Sequence, residues 1–206
     1  MSQIAERKPV RRQIDKFAVR RAQLANSALR TLSKLGYAGT SLRDIAENSE
    51  FSHGVLHYYF RDKVDLITYC VRQYKAASVA RYDQVVAVST TPDELRDQWI
   101  GAMVATLRQD APMHRLWYDL RNQSMFSEAF REDVRAIDSS LERMIGRIFG
   151  HYAQLAGLRL TTSAYLAYAL VDGVFQNALL GHLSGDERAT ADLPEHLSFV
   201  LDRVVR

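Results

Sequence analysis

The chain has one cysteine, Cys70, among its 206 residues. No disulfide can close within it, and a reducing compartment is expected. Prolines number only four, so long helices can run with few interruptions. No stretch shows the strict apolar–polar alternation of a half-buried strand. The longest wholly apolar run covers residues 164–171 and ends at Asp172, far short of the roughly 20 residues that span a bilayer. The opening segment MSQIAERKPVRRQ lacks the apolar core of a secretion signal. Glycine-rich phosphate loops are missing, and the glycines around Ser184 do not have nucleophile-elbow spacing. His53 and His57 stand four apart, a zinc-compatible spacing, but Gly54 occupies the place of that motif's glutamate. These absences lead us to expect a cytoplasmic protein without membrane span, catalytic residues, metal or resident cofactor.

Charge is distributed unevenly. Residues 1–65 hold twelve Lys and Arg against seven Asp and Glu, whereas the remainder is mildly acidic within a net charge of +3. A basic first third on an acidic body suggests that the first part meets a polyanion.

Helical periodicity fills the rest. Apolar residues three or four apart from residue 10 to 35 predict an amphipathic helix stopped by Gly36. Ser41, with Asp44 three positions on, forms a capping box for a second helix that buries Leu42, Ile45 and Ala46. Ser52 caps a third, which Phe60-Arg61-Asp62 closes. A long helix follows over residues 63–88. Thr91-Pro92-Asp93-Glu94 starts the next, Pro112 stands near the start of another, and Ser127 caps a further long one. Thr161 or Thr162 opens a helix ending near 181–185, and the last begins around Asp192. The fold class is all-α, with about nine helices: a three-helix unit and a larger helical body, divided as 1–65 and 66–206.

The third helix carries an unusual surface. Over residues 52–59 it is roughly 10–12 Å long, close to the ~12 Å width of the DNA major groove, and a short turn separates it from the helix before, as in a helix-turn-helix. Its outward positions are Ser52, His53, Gly54, Val55, His57 and Tyr59 rather than Lys and Glu. Gly54 permits close approach of a sugar-phosphate strand, Val55 suits a thymine methyl, and Ser52 and His53 can hydrogen-bond base edges. Thr40, Ser41, Arg43, His57, Tyr59 and Lys63 offer donors for phosphate oxygens. Arg7, Lys8, Arg11 and Arg12 form a basic arm suited to a groove or strand.

The run Gly36-Tyr37-x-Gly39-Thr40-Ser41-Leu42-Arg43-Asp44-Ile45-Ala46-Glu47, then Ser52-x-Gly54-x-Leu56-x-x-Tyr59-Phe60 and Lys63-x-x-Leu66, resembles the TetR family of bacterial transcriptional regulators. Leu170-Val171-Asp172-Gly173 is similar to the branch that contains the choline-sensing repressor of betaine synthesis. The resemblance implies a homodimer on a palindromic double-stranded DNA operator and a ligand cavity in the body. It makes Thr40, Ser41, His57, Tyr59 and Lys63 phosphate contacts, and Ser52, His53 and Val55 base readers. Tyr58 and Phe60 are expected to pack inward. The family usually has Ala-Gly-Val where Ser49-Glu50-Phe51 stands here, so either Glu50 takes a left-handed conformation or the turn differs. His57, where Tyr is common, makes that contact pH-sensitive.

In the body, Trp99, Met103, Trp117, Tyr118, Met125, Tyr165 and Phe175 are candidates to line an effector pocket, with Arg121 and Gln176 as polar anchors. The helices at about 162–183 and 193–205 are apolar on more faces than one chain needs to cover, which suggests a four-helix dimer interface. The expected function is that of a repressor released by a small molecule. A ligand-dependent activator is the near alternative, and a helical enzyme or ligand carrier without a DNA role the distant one. The last would need a perturbed acid–base pair inside the body, and the sequence displays none.

Overall fold

A computed structural model of the protein describes residues 7–36 and 40–206. Tyr37 and Gly39 of the motif lie outside the described residues, as do residues 1–6. Among the described residues there are nine α-helices and no strand, apart from an isolated antiparallel bridge between Leu160 and Val205. The chain divides into two compact units, Met1–Val71 and Arg72–Arg206; the division falls later than residue 65, inside a continuous helix.

The first unit holds α1 (Arg7–Leu35), α2 (Leu42–Glu47), α3 (His53–Tyr59) and the opening turns of α4 (Lys63–Val88). Because α1 starts at Arg7, the backbone of the expected basic arm is helical; the side chains of Arg7, Lys8, Arg11 and Arg12 lie outside the described residues. Gly36 ends α1 with φ of 75°, a left-handed conformation that costs glycine nothing. Leu24, Ala25, Ala28 and Leu32 of α1 are fully buried, together with Ile45, Leu56, Leu66 and Ile67. Cys70 is buried too, its thiol donating to the Ala25 carbonyl at 3.3 Å, and burial pushes its pKa up.

The second unit contains the remainder of α4, then α5 (Pro92–Phe126), α6 (Arg131–Ala156), α7 (Ala164–Leu183), α8 (Glu187–Ala191) and α9 (Leu193–Val204). Thr91 caps α5 by accepting from the Glu94 N–H at 3.2 Å. Two helices were expected across α5; the structure joins them through a kink at Asp110, where φ is −115° and ψ 15°. Pro112 explains it, since it has no N–H to give the carbonyl four residues back. Ser127 does not cap α6 with its side chain; a 3₁₀ turn, Glu128–Phe130, intervenes. The cap of α7 is Ser163 rather than Thr161 or Thr162. The sequence reading missed α8, which packs closely on α7 at Gly181: a Cβ there would lie 2.4 Å from the Cβ of Ala189.

One expectation about the terminal helices changes. Leu193, Leu197, Val200, Leu201 and Val204 of α9 are all buried within their own chain, against α5 and α7. The apolar surface left uncovered lies on α7 instead, at Tyr165, Leu166, Leu170, Leu180 and Leu183, with Phe199 the one large apolar side chain of α9 beside them in exposure. No helix of the described residues is long and apolar enough to cross a membrane.

Candidate DNA-binding surface and ligand cavity

The helix-turn-helix is held by local chemistry. Ser41 and Asp44 cap α2 reciprocally: the Ser41 N–H donates to the Asp44 carboxylate at 2.7 Å, and the Asp44 N–H to Ser41 Oγ at 3.2 Å. Ser52 Oγ accepts from the Val55 N–H at 3.3 Å and starts α3. Between the helices no residue other than glycine takes a positive φ, so Glu50 is not strained. The turn differs instead: Ser49 Oγ accepts the Phe51 N–H at 3.2 Å, a hydroxyl-mediated turn that dispenses with glycine. Phe51 is buried, with the Arg20 guanidinium 4.7 Å from its ring centroid.

Leu56 and Phe60 anchor α3 in the unit's core. Ser52, His53, Gly54 and His57 are exposed and Val55 and Tyr59 half-buried. Nothing lies within 4 Å of where a Cβ on Gly54 would stand, leaving that face open to another molecule. The His53 and His57 rings meet edge to face, centroids 4.4 Å apart. Tyr59 packs on Phe17 at 4.7 Å. Tyr58 does not turn inward: it is 73% exposed, because Leu56 and Phe60 already fill the inward positions and Tyr58 lies between them on the opposite side. Thr40 is buried, and its hydroxyl donates to the Gly36 carbonyl at 2.7 Å. Ser41 and Arg43 are exposed, Arg43 pairing with Glu47 at 2.8 Å. Lys63 is half-buried at the start of α4.

In the second unit a cavity of about 60 Å³ opens among α4, α5, α6 and α7. Of the pocket residues expected from sequence, Met103, Trp117, Tyr118 and Phe175 line it. Trp99 is buried elsewhere, edge to face with Phe149. Met125, Tyr165 and Gln176 are exposed, so the structure removes them from the site. Arg121 does not line the cavity but organises its far wall. It forms ion pairs with Asp172 and, at 3.3 Å, with Asp138. The Tyr118 hydroxyl donates to Asp172 at 2.9 Å and the Tyr168 hydroxyl to Asp138 at 2.6 Å. Burial and the neighbouring carboxylates push both tyrosine pKa values up, so both hydroxyls stay protonated donors. Replacing Tyr168 by phenylalanine leaves Asp138 one donor short; unfolding in urea should report a loss of about 2 kcal/mol.

The opposite wall carries a buried lysine. Lys75 of α4 is only 6% exposed. Its ammonium lies 3.2 Å from His114 Nδ1 and 5.3 Å from the centroid of the Trp117 ring. Burial lowers its pKa to about 7, against the pull of Asp172, Asp138 and Asp110. Burial also lowers the His114 pKa, with Lys75 adding to the effect, so the imidazole is neutral. With Nδ1 accepting from Lys75, the ring proton sits on Nε2, 3.1 Å from the Tyr74 hydroxyl. Two hydrogen bonds therefore join the cavity amine through His114 to Tyr74. Both shifts have burial as their largest cause, and neither group stood out in the sequence.

The model of the bacterial regulatory proteins of the tetR family matches residues 24–70. The HTH-type transcriptional regulator BetI of Burkholderia thailandensis is 27% identical over 179 residues, covering 85% of this chain and 89% of that protein. The chain is similar to TetR-family transcriptional regulators. Solved structures agree in fold: a TetR transcription regulator from Haloarcula marismortui superposes with a TM-score of 0.75 at 17% identity, covering 92% of this chain and all of that one. A transcriptional regulator from Saccharomonospora viridis in complex with choline gives a TM-score of 0.75 at 16% identity, covering 92% of this chain and 99% of that one.

The residues that sequence reasoning missed share a signal. Val71, Lys75, Ser78 and Tyr82 fall on one stripe of α4, all buried. Val134, Asp138, Leu141 and Ile145 repeat the pattern on α6. A charged residue on an otherwise apolar helical stripe points into a core, and must find a partner there.

Proposed function

We propose that the chain is a homodimeric repressor that holds a palindromic operator through α3 and lets it go when a small molecule enters the cavity. One observation carries this reading: α4 is a single uninterrupted helix, Lys63–Val88. It supplies Leu66 and Ile67 to the core of the DNA-binding unit, and Lys75, Ser78 and Tyr82 to the cavity wall. A ligand that prefers a different placement of α4 shifts the population toward it. The two copies of α3 then cease to match successive major grooves, which lie roughly 34 Å apart. A like effect on an activator would have the opposite sign, and the gel shift that follows separates the two.

The test is a gel shift with DNA from upstream of the protein's own gene, with and without candidate ligands. Sequence-specific retardation without ligand is expected, relieved by ligand. Retardation that appears only with ligand would make the protein an activator, and none at low salt would sink the DNA-binding role. Affinity should fall steeply with salt, by about a thousandfold between 50 and 200 mM for six phosphate contacts. His57→Ala should weaken binding to all sequences alike, whereas Val55→Ala should change which operator variants bind best. Equal effects of both substitutions on every sequence would refute the division of roles.

A further inference from the structure

We propose that the cavity takes a small organic carboxylate whose oxygens accept hydrogen bonds from Lys75 Nζ and Trp117 Nε1; the proposal rests on this cavity being the effector site. Three features of the lining point to an anion. Donors are in surplus: Lys75 has three N–H groups and one hydrogen-bond partner, His114 Nδ1. The indole N–H of Trp117, a residue 1% exposed, has no acceptor. A buried donor left without an acceptor is costly and marks a place where one is wanted.

Acceptors, by contrast, are already taken. Asp172 receives Tyr118 and Arg121, and Asp138 receives Tyr168 and Arg121. No described carboxylate lies within ion-pairing distance of Lys75. Around the cavity, then, Arg121 balances one of the two aspartate charges and Lys75 the other from beyond ion-pairing distance, while the lysine keeps N–H groups free for a ligand's oxygens. The carboxylate of a ligand would accept from those N–H groups.

The aromatic walls do not argue for a quaternary ammonium. A cage for such a cation uses the faces of aromatic rings, and here the ammonium of Lys75 already sits 5.3 Å from the Trp117 centroid and 5.8 Å from that of Tyr74. A second cation would meet like charge. Size narrows the class further. A water needs about 10–15 Å³ by the same measure, so 60 Å³ holds about five heavy atoms, a short-chain acid rather than a long acyl chain. Met103, Met144, Leu141, Val171 and Phe175 line the remainder and suit its hydrocarbon end.

Affinity should depend on pH through Lys75. The groups that face it are His114, Asp110 and Arg121 from α5, Asp138 from α6, Asp172 from α7 and, on its own helix, Tyr74. With the lysine pKa lowered to about 7, binding of an anion requires proton uptake above that value. Affinity is therefore level below pH 7 and falls about tenfold per unit above it.

Isothermal titration of the full chain with sodium formate, acetate, propionate and butyrate at pH 6 tests this, with sodium chloride and choline chloride as controls. Saturable binding of at least one carboxylate is expected, with the acid recovered unchanged. Lys75→Met should weaken it by about ten- to a hundredfold and Trp117→Phe by about three- to tenfold. Failure of all four acids to saturate, tighter binding of choline, or unaltered affinity in Lys75→Met would each overturn the proposal. If a carboxylate binds as described but leaves the operator complex intact in a gel shift, the site stands and the effector role of the cavity falls.

Discussion

Lys75→Met is expected to melt roughly 10 °C above the natural protein at pH 6, with the gap closing as pH rises toward 10. The cause is the desolvation of a cation. Lys75 is buried without a carboxylate partner, and its pKa drops from 10.5 to about 7 in the folded state. Between those values the unfolded chain binds the extra proton and the folded chain does not. Stability therefore rises with pH from about 7 to 10.5, and below about 7 the full penalty applies. Each unit of displacement corresponds to about 1.4 kcal/mol, so the penalty is of the order of 3–5 kcal/mol. Methionine has a similar length and removes the charge. Scanning calorimetry of both proteins from pH 6 to 10 measures the effect. A gap that stays constant with pH would mean that Lys75 does not titrate in this range, and a lower melting temperature for the variant would mean that the lysine is held by interactions stronger than its burial cost. The presence of such a costly group is itself informative, since an apolar residue would fill the place more stably. A ligand that supplies the missing negative charge recovers part of that cost on binding, which couples occupancy of the cavity to the stability of α4.

Much of the fold could be read from the residues because the signals were local. The Ser41–Asp44 capping box, the Ser52 cap, the Thr91-Pro92 helix start and the Gly36 stop each concern neighbours within one turn, where sequence spacing dictates geometry. Errors arose where geometry depended on distant partners. Ser127 has the chemistry of a cap, but Phe130 is drawn into the core and winds the segment into a 3₁₀ turn. The resemblance implies that Tyr58 and Phe60 both pack inward, whereas the helical register buries Phe60 with Leu56 and turns Tyr58 outward. The apolar stripe of α9 cannot be assigned to core or interface by period alone, and the structure assigns it to the core.

The two sites differed in legibility for the same reason. The candidate DNA-binding surface lies on one short helix, so its exposed residues follow from a single register. The cavity is assembled from four helices distant in sequence. Met125 and Tyr165 are large apolar residues that sequence makes pocket candidates, yet what distinguishes the cavity is charge at core positions: Lys75, Asp138 and Asp172. Each interrupts an apolar stripe. Only packing brings Lys75 to His114 and Arg121 between two aspartates, and no spacing rule connects them.

Leu180→Asp is expected to convert a dimer into a monomer of 23.5 kDa and to weaken operator binding by about 10²–10⁴-fold. α7 has two apolar faces. Ala167, Val171, Phe175 and Ala178 are buried in its own unit. The other face follows Leu166, Leu170, Gly173, Asn177 and Leu180, four and three apart, and its leucines are 52%, 49% and 66% exposed. A monomeric soluble protein seldom leaves so regular an apolar stripe uncovered, and a two-fold axis across α7 would cover it with its own copy. Gly173, with nothing within 4 Å of where its Cβ would stand, lets the two helices approach closely at the centre. An aspartate at position 180 would have to be desolvated in that contact but is fully solvated in the monomer, so the substitution acts on association and spares the fold. Once the dimer is lost, each half-site is bound independently, and the gain from linking two binding events disappears. Sedimentation velocity together with operator titration measures both effects. A variant that remains dimeric would place the two-fold axis on another surface, and a monomer that binds the operator as tightly as before would show that the two α3 helices do not act jointly on one duplex.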